Sequence, residues 1–315
     1  MRPSSSLHNL LTLLFLSLLW SASLPAIKIA VAETRPITLA ASRAVIGFLT
    51  ITCLLPFLGR VAWREHLRHL PYIFVMSPVG MCLPFYLISR AELVIEASTT
   101  GLLLSVGPLL TVLLAHFLFC TERLTWSRFG GVFIGFMGIV ILLGPDASST
   151  PHSVLSAQAM VVLATLGYVS SNLMARHLPV VPALFFAVMM LFFVALVMVP
   201  VALLFETPAP QSWPRHIWQP VIWLGLISTG LAFCLRFYLI RNVGAGYASF
   251  VGYLIPLFSV LLGTLILHEP VGTHQDSGHP PYSAWPWPHP EGTGTFIAAT
   301  LVTPAVGKFW LQRTR

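Results

Sequence analysis

Charge is what this chain has least of. Only 9% of its 315 residues are Asp, Glu, Lys or Arg, against 56% hydrophobic, and the mean hydropathy is +0.83. A water-soluble domain carries about 25% charged residues, so water is excluded as the solvent for most of this surface. The four cysteines, Cys53, Cys82, Cys120 and Cys234, show no CxxC spacing and lie in or at the ends of apolar runs. They read as small packing residues rather than a disulfide or metal framework. Alternation of period two is missing as well, and the apolar runs are too long for strands, which disfavours a β-barrel. The net charge of +7 does not point to nucleic acid, because basic residues stand singly or in loose groups and no basic face is interleaved with aromatics. No GxxxxGK[ST] loop is present, so a built-in ATP motor is not indicated and no cofactor is expected.

What remains is a series of helix-length apolar runs. Candidate spans are Leu10–Val31, Ile37–Leu58, Leu70–Ser89, Val94–Phe119, Phe129–Leu143, Leu155–Met174, Val181–Leu204, Trp218–Phe237 and Tyr247–Leu267. A membrane crossing takes about 20 apolar residues, so the predicted class is an all-α, polytopic membrane helix bundle. Arg2, the apolar run and Ala30-Val31-Ala32 imitate a secretory signal, but the run is span-length and others follow, so an uncleaved first helix is expected.

Two of the runs repeat. Gly107–Glu122 (GPLLTVLLAHFLFCTE) and Ile255–Glu269 (IPLFSVLLGTLILHE) each pass through a proline and stop at a glutamate. Small and hydroxylated residues precede both. The polar stretch Gly144–Ser153 separates the halves, giving residues 1–150, 151–270 and a remainder 271–315. Arg60, Arg64 and Arg68 follow the second span, Arg123 and Arg128 the fourth, Arg176 the sixth and Arg241 the eighth. The alternate loops carry Arg35, Arg90 and Arg215, diluted by Glu33, Glu92, Glu96 and Glu206. The positive-inside rule then makes the N-terminus cytoplasmic and inverts one half relative to the other. Glu122 falls inside and Glu269 outside.

These segments resemble the EamA family of the drug/metabolite transporter superfamily. The resemblance rests on LLWSASLPAIKIA (Leu18–Ala30), ASRAVIGFL (Ala41–Leu49), and the first Pro-to-Glu run with GGVFIGFMGIVILLG (Gly130–Gly144). The second Pro-to-Glu run completes it, so that residues 10 to 270 are covered. It implies about ten helices in two inverted five-helix repeats, of which about nine are clear here, around a central cavity. It also implies secondary transport of small metabolites, export or uptake, in the inner membrane. The expected partners are a small-molecule substrate and membrane lipids. The alternatives are a membrane-embedded enzyme, such as a lipid-modifying transferase, or a non-functional carrier; clustered carboxylates or histidines for the former are missing from the spans.

Lys28 and Arg43 lie within spans, and the family implied by the resemblance often has basic residues there. A charge at depth costs at least about 2.5 kcal/mol, so each is expected to face a cavity or a partner, although Lys28 could also snorkel. Trp20, Tyr168 and Asn172 bring polar atoms into the first spans of the two halves and are candidate cavity residues. Pro25, Pro108 and Pro256 each remove a helical hydrogen bond and can bend or break a span. Glu122 and Glu269 read as interfacial anchors or proton-coupling groups. Glu92 and Glu96, beside Arg90, read as a solvated face. Gly131 and Gly135 form a small-xxx-small face that serves either monomer packing or a homodimer. His274, His279 and His289 fit no standard ligand spacing, and no metal is expected.

After Glu269 the pattern fails. The family leads one to expect a last glycine-containing apolar helix, but residues 270–296 are rich in Pro and His and cannot span. Read one nucleotide later, permitted codons for Gly278–Glu291 allow AILLILPGLGLTQR. The tail is therefore read as the product of a frameshift near Val271–Gly278, which leaves the second half incomplete. Sequencing the locus is expected to show an open, apolar shifted frame; stops or charged residues there would remove the explanation.

Overall fold

The computed structural model describes residues 3–58, 63–117, 151–176, 181–208, 210–243, 245–248 and 250–269, all within a compact unit of residues 1–275. The predicted fifth span, with Glu122, Gly131 and Gly135, and the tail 271–315 lie outside the described residues. All regular structure among the described residues is helical. Six helices are long and apolar enough to cross a membrane: Leu7–Glu33, Pro36–Phe57, Trp63–Ala91, His152–Ala175, Leu184–Phe205 and Arg215–Arg236. Ala97–Thr111 and Val251–Leu267 are shorter and equally apolar. The protein is a polytopic all-α membrane bundle.

The first span is two helices, α1 (Pro3–Ser21) and α2 (Ser23–Glu33). Pro25 has no N–H for the Ser21 carbonyl four residues back, and the helix turns at Ala22. The Ser23 hydroxyl closes the turn by donating to the Trp20 carbonyl at 2.5 Å. α3 (Pro36–Leu58) follows. The third span runs through α4 (Trp63–His66), α5 (Leu70–Ser77), a π-helical turn (Pro78–Cys82) and α6 (Leu83–Ala91). The predicted fourth span is interrupted: α7 (Ala97–Leu104) ends before Ser105, and α8 (Gly107–Phe117) starts around Pro108. Pro108 cannot donate to Leu104, so the chain tightens at Ser105 and Val106, whose amides reach back only three residues.

α9 (His152–Arg176) and α10 (Ala183–Phe205) open the second half. α10 contains no polar side chain at all. α11 (Arg215–Ile222) runs into a nine-residue π-helix, Trp223–Leu231, and continues as α12 (Ala232–Asn242). α13 (Ala245–Ala248) is one turn, and α14 (Val251–Leu267) contains Pro256 without interruption. Pro256 therefore differs from Pro25 and Pro108, which stand at helix breaks. The Ser21 hydroxyl, from the turn in the first span, packs against this helix by donating to the Ile255 carbonyl at 3.1 Å.

The main core lies between α3, α5, α6 and α10, around Ala44, Ile51, Ile73, Phe85, Phe185, Leu191 and Val194. The third span packs on α9 and α10, while α11, its π-helix and α12 pack on α1, α2 and α3. α7 and α8 lie on α9, as α14 lies on α1 and α2. Two further pairs, α3 with α10 and α7 with α14, join the halves directly. Large apolar side chains such as Phe57, Leu204, Phe205, Leu257 and Leu265 are exposed. In water such a surface would aggregate; in a bilayer it meets lipid.

Glycines set how close these helices come. A Cβ added at Gly101 would sit 1.8 Å from Ser259 Oγ and 2.3 Å from Ser259 Cβ, so the Ser259 side chain of α14 occupies the space that a side chain at Gly101 of α7 would need. Gly101→Ala is expected to lower stability in detergent by about 1–3 kcal/mol, the usual scale for overpacking, and Ser259→Gly in the same chain to restore part of it. Thermal unfolding of the single and double variants checks this; an unshifted Gly101→Ala would contradict the packing.

Candidate functional site

The second π-helix is the centre of the site. Widening a helix to i→i+5 bonding opens its backbone and is frequent at functional positions. Here the widened segment presses on α3 through three glycines. A Cβ at Gly47 would lie 2.7 Å from Thr229, one at Gly225 2.4 Å from Ile46, and one at Gly230 2.6 Å from Thr50. One turn before Gly47 on the same face of α3 stands Arg43. Its Nε donates to Thr229 Oγ1 at 2.7 Å, and its guanidinium lies 4.1 Å from the centroid of the Phe85 ring. Arg43 is buried, at 8% exposure. Tyr168, partly buried on the same core, is near enough to feel its charge.

A second cation sits on the other side of the π-helix. Trp20 Nε1 donates to the Ser228 carbonyl at 3.1 Å, taking one of the backbone acceptors the π-helix exposes. Arg236 lies 5.9 Å from the Trp20 ring centroid and donates from Nη2 to Asn172 Oδ1 at 3.1 Å. Trp20 and Asn172, drawn from the first spans of the two halves, therefore meet at a residue that sequence reading passed over. Next to Thr229 in the π-helix, the Ser228 hydroxyl is buried and has no hydrogen-bond partner. Arg43 at Thr229 and the Trp20–Arg236–Asn172 group thus place polar side chains along the π-helix and the start of α12 in an apolar bundle.

Lys28 belongs to a different cluster. Its Nζ donates to the Ile95 carbonyl at 2.5 Å, in the loop after α6. Glu92, Glu269 and Glu96 all act electrostatically on it. Glu269 is buried, and its function is visible in its bonds: Oε1 accepts from the Ala97 amide at 2.8 Å and Oε2 from the Ser98 amide at 2.9 Å. It thus caps the N-terminus of α7 from far along the chain, in place of the N-cap residue Glu96, whose side chain makes no capping bond, and a carboxylate there is favoured by the helix dipole. The chain reaches that position through His268, left-handed at φ 54°, and Gly263, where a Cβ would stand 2.5 Å from Glu269 Oε2. Glu206, at the end of α10, does the same for α3, accepting from the Ile37 and Thr38 amides at 3.0 and 2.6 Å.

The solvated reading of Glu92 is corrected. Glu92 is 1% exposed, because the loop after α6 folds over Lys28 and is closed by the segment carrying Glu269. Arg236, Thr229 and Phe85 were also missed. Arg236 alone carried a signal, a charge inside an apolar run. Among the described residues no group of three or more His, Cys, Asp or Glu is placed to hold a metal.

The profile of the EamA-like transporter family matches residues 9–144 and again 155–278. The chain is 21% identical over 266 residues to the "Uncharacterized transporter YoaV" of Bacillus subtilis, covering 83% of this chain and 89% of the relative. It is 24% identical over 256 residues to the "Probable terminal-alkyne amino-acid exporter" of Streptantibioticus cattleyicolor, covering 79% and 82%. A crystal structure at 21% identity matches the fold with a TM-score of 0.59, over 87% of this chain and 92% of the other.

The cap at α7 gives a direct test. Glu269→Ala leaves two buried amides unpaired and is expected to cost about 1–2 kcal/mol, the upper part of the N-cap range. Thermal unfolding in nanodiscs should show a drop of several degrees, against none for Glu33→Ala, whose side chain is exposed.

Proposed function

The chain belongs to the EamA-like transporter family, and from that premise we propose that it is a secondary carrier exporting small polar metabolites that bear an anionic group, amino acids among them. It is a multi-pass membrane protein and a small-molecule transporter. One observation carries the substrate chemistry. Among the described residues, the guanidiniums of buried Arg43 and half-buried Arg236 hydrogen-bond only to neutral groups, a hydroxyl and an amide, and each lies against an aromatic ring, with Glu92 acting on Arg43 only through space. Desolvated guanidiniums without a carboxylate partner lack a counter-charge. A substrate carboxylate would supply it, with bidentate geometry suited to guanidinium. The unpartnered Ser228 hydroxyl and the Trp20 ring are available for the remainder of the molecule. The exporter named among the relatives fits this chemistry.

The mechanism proposed is alternating access, with residues 1–150 and 151–270 as two inverted repeats rocking about the cluster. Support comes from the pairings, in which each contact of one half's helices with the other half has a counterpart. Glu206 and Glu269, from the second half, cap α3 and α7, from the first, so rocking would release these caps on one face. The membrane is the inner one, with the N-terminus cytoplasmic, by the arginine bias of the loops. The family match stops at residue 278, within the stretch where the frameshift is proposed, so a repaired tail belongs in any assay.

Flux of a radiolabelled amino-acid mixture into proteoliposomes tests the reading. Arg43→Ala and Arg236→Ala each remove a hydrogen bond from a charged group, about 1.5–3 kcal/mol, and are expected to weaken transport about 10- to 100-fold. Arg90→Ala, an exposed control, should not. Equal flux in all three variants, or no flux with a repaired tail, would contradict the proposal.

A further inference from the structure

Glu92 is a carboxylate that the substrate cluster does not use. It caps the end of α6, directly after Ala91, where the third span ends. It is 1% exposed, and neither Oε1 nor Oε2 accepts a hydrogen bond. An ionised carboxylate so placed would forfeit its hydration with nothing in return. Its near neighbour Glu269 is different, since both of its carboxylate oxygens accept hydrogen bonds from backbone amides at the start of α7.

The charged groups around Glu92 come from each element packed there. Lys28 faces it from α2, Arg43 from α3, Glu269 from the end of α14, and Glu96 shares its loop and acts through Lys28. α9, packed on α6 and the loop, offers the buried Ala157 and Val161 and the neutral Gln158, with His152 exposed at its start. Three carboxylates thus share one close ammonium, with one guanidinium beyond it. Such a set does not hold all its negative charge in an apolar site, and the carboxyl without hydrogen bonds is the one that takes up a proton. Burial pushes the Glu92 carboxyl well above the usual carboxylate range; Lys28 pulls it back, Glu269 pushes it further, and Arg43 pulls it back in turn.

We propose that Glu92 is the proton-binding site of this protein, and that loading and unloading it couples substrate movement to a proton gradient. The coupling half of the proposal rests on the carrier reading above; the proton on Glu92 does not. With Glu92 neutral, Lys28 stays on the Ile95 carbonyl and Glu269 keeps its cap on α7. When Glu92 loses its proton to water, a buried negative charge appears beside the Glu269 carboxyl group and draws Lys28 toward it. Lys28 lies on α2, beyond the break at Ala22, and α2 packs on α11 and the second π-helix. Proton release would therefore pull on the half-helix that reaches the substrate cluster and loosen a cap that ties the two halves.

Infrared spectroscopy of the protein in nanodiscs reads the proton directly. At neutral pH the wild type is expected to show the C=O band of a protonated buried carboxyl, fading as pH is raised. Glu92→Gln should abolish it and Glu33→Gln should leave it. Should Glu92→Gln fold poorly, Glu92→Asp is expected to keep the band with a shifted midpoint. In proteoliposomes with the radiolabelled amino-acid mixture, wild-type flux should follow an imposed pH gradient, whereas Glu92→Gln flux should lose that response. A band unchanged in Glu92→Gln overturns the assignment whatever the flux shows. A band lost in the variant with flux indifferent to pH gradients in the wild type overturns the coupling alone. The same loss with no flux in any form of the protein overturns the carrier reading, and the coupling with it.

Discussion

Inside a bilayer a backbone amide or carbonyl that leaves its helix has no water to turn to, and this constraint organises the whole molecule. The interruptions are answered either by the adjacent turn or by another part of the chain. The turn at Ala22 is closed by Ser23 and packed by Ser21 onto Ile255. The start of α7 is capped by Glu269, and the start of α3 by Glu206. The long π-helix yields one carbonyl to Trp20 and one hydroxyl to Arg43. Irregular backbone and ionisable side chains therefore gather at the same places. A break supplies polar groups, polar groups stabilise charges, and charges are what a carrier needs to recognise a polar solute.

Much of this was legible in the sequence for reasons that can be named. Apolar length gave the spans, since no other use of twenty such residues is stable. Pro25 and Pro108 stand beside two of the interruptions, because a missing N–H leaves the carbonyl four residues back without its helical partner. Pro256 obeyed the same rule locally yet left α14 unbroken, the lost bond being tolerated within an otherwise packed helix. Arg43 was recognisable because a guanidinium at depth needs an explanation. Arg236 met the same criterion and was overlooked because it stands near the end of its run, where arginines are read as topology signals.

Other features had no sequence signal. A π-helix has the composition of any apolar helix, and Gly225 and Gly230 look like packing glycines until α3 is seen against them. Glu269 reads as a helix-end anchor because its partners, the amides of Ala97 and Ser98, are more than 170 residues away in the chain. Glu92 was misread for the same reason. Next to Arg90 and Glu96 it has the local pattern of a solvated loop, and its burial is created by Lys28 and the segment after α14.

The two clusters differ in the sign of what they lack, and that difference has mechanistic weight. Arg43 and Arg236 hydrogen-bond to no carboxylate, and only Glu92 acts on Arg43 from a distance; around Glu92 there is carboxylate in excess of cation. A ligand shifts a two-state protein only by the difference in its affinity for the states. To carry the equilibrium from one state almost wholly to the other takes roughly 5.5 kcal/mol of such difference. One carboxylate on two guanidiniums, at about 1.5–3 kcal/mol per charged hydrogen bond, reaches that figure only if most of its bonds exist in one state alone. A proton that removes a buried charge beside Glu269 acts on the cap rather than on the substrate, so the two contributions are separate and can sum. Proton and substrate then need not touch to be coupled: each biases the same pair of helices, α2 from the side of Lys28 and the π-helix from the side of Arg43, and the glycine contacts that bring α3 against that π-helix leave little slack for one to move without the other.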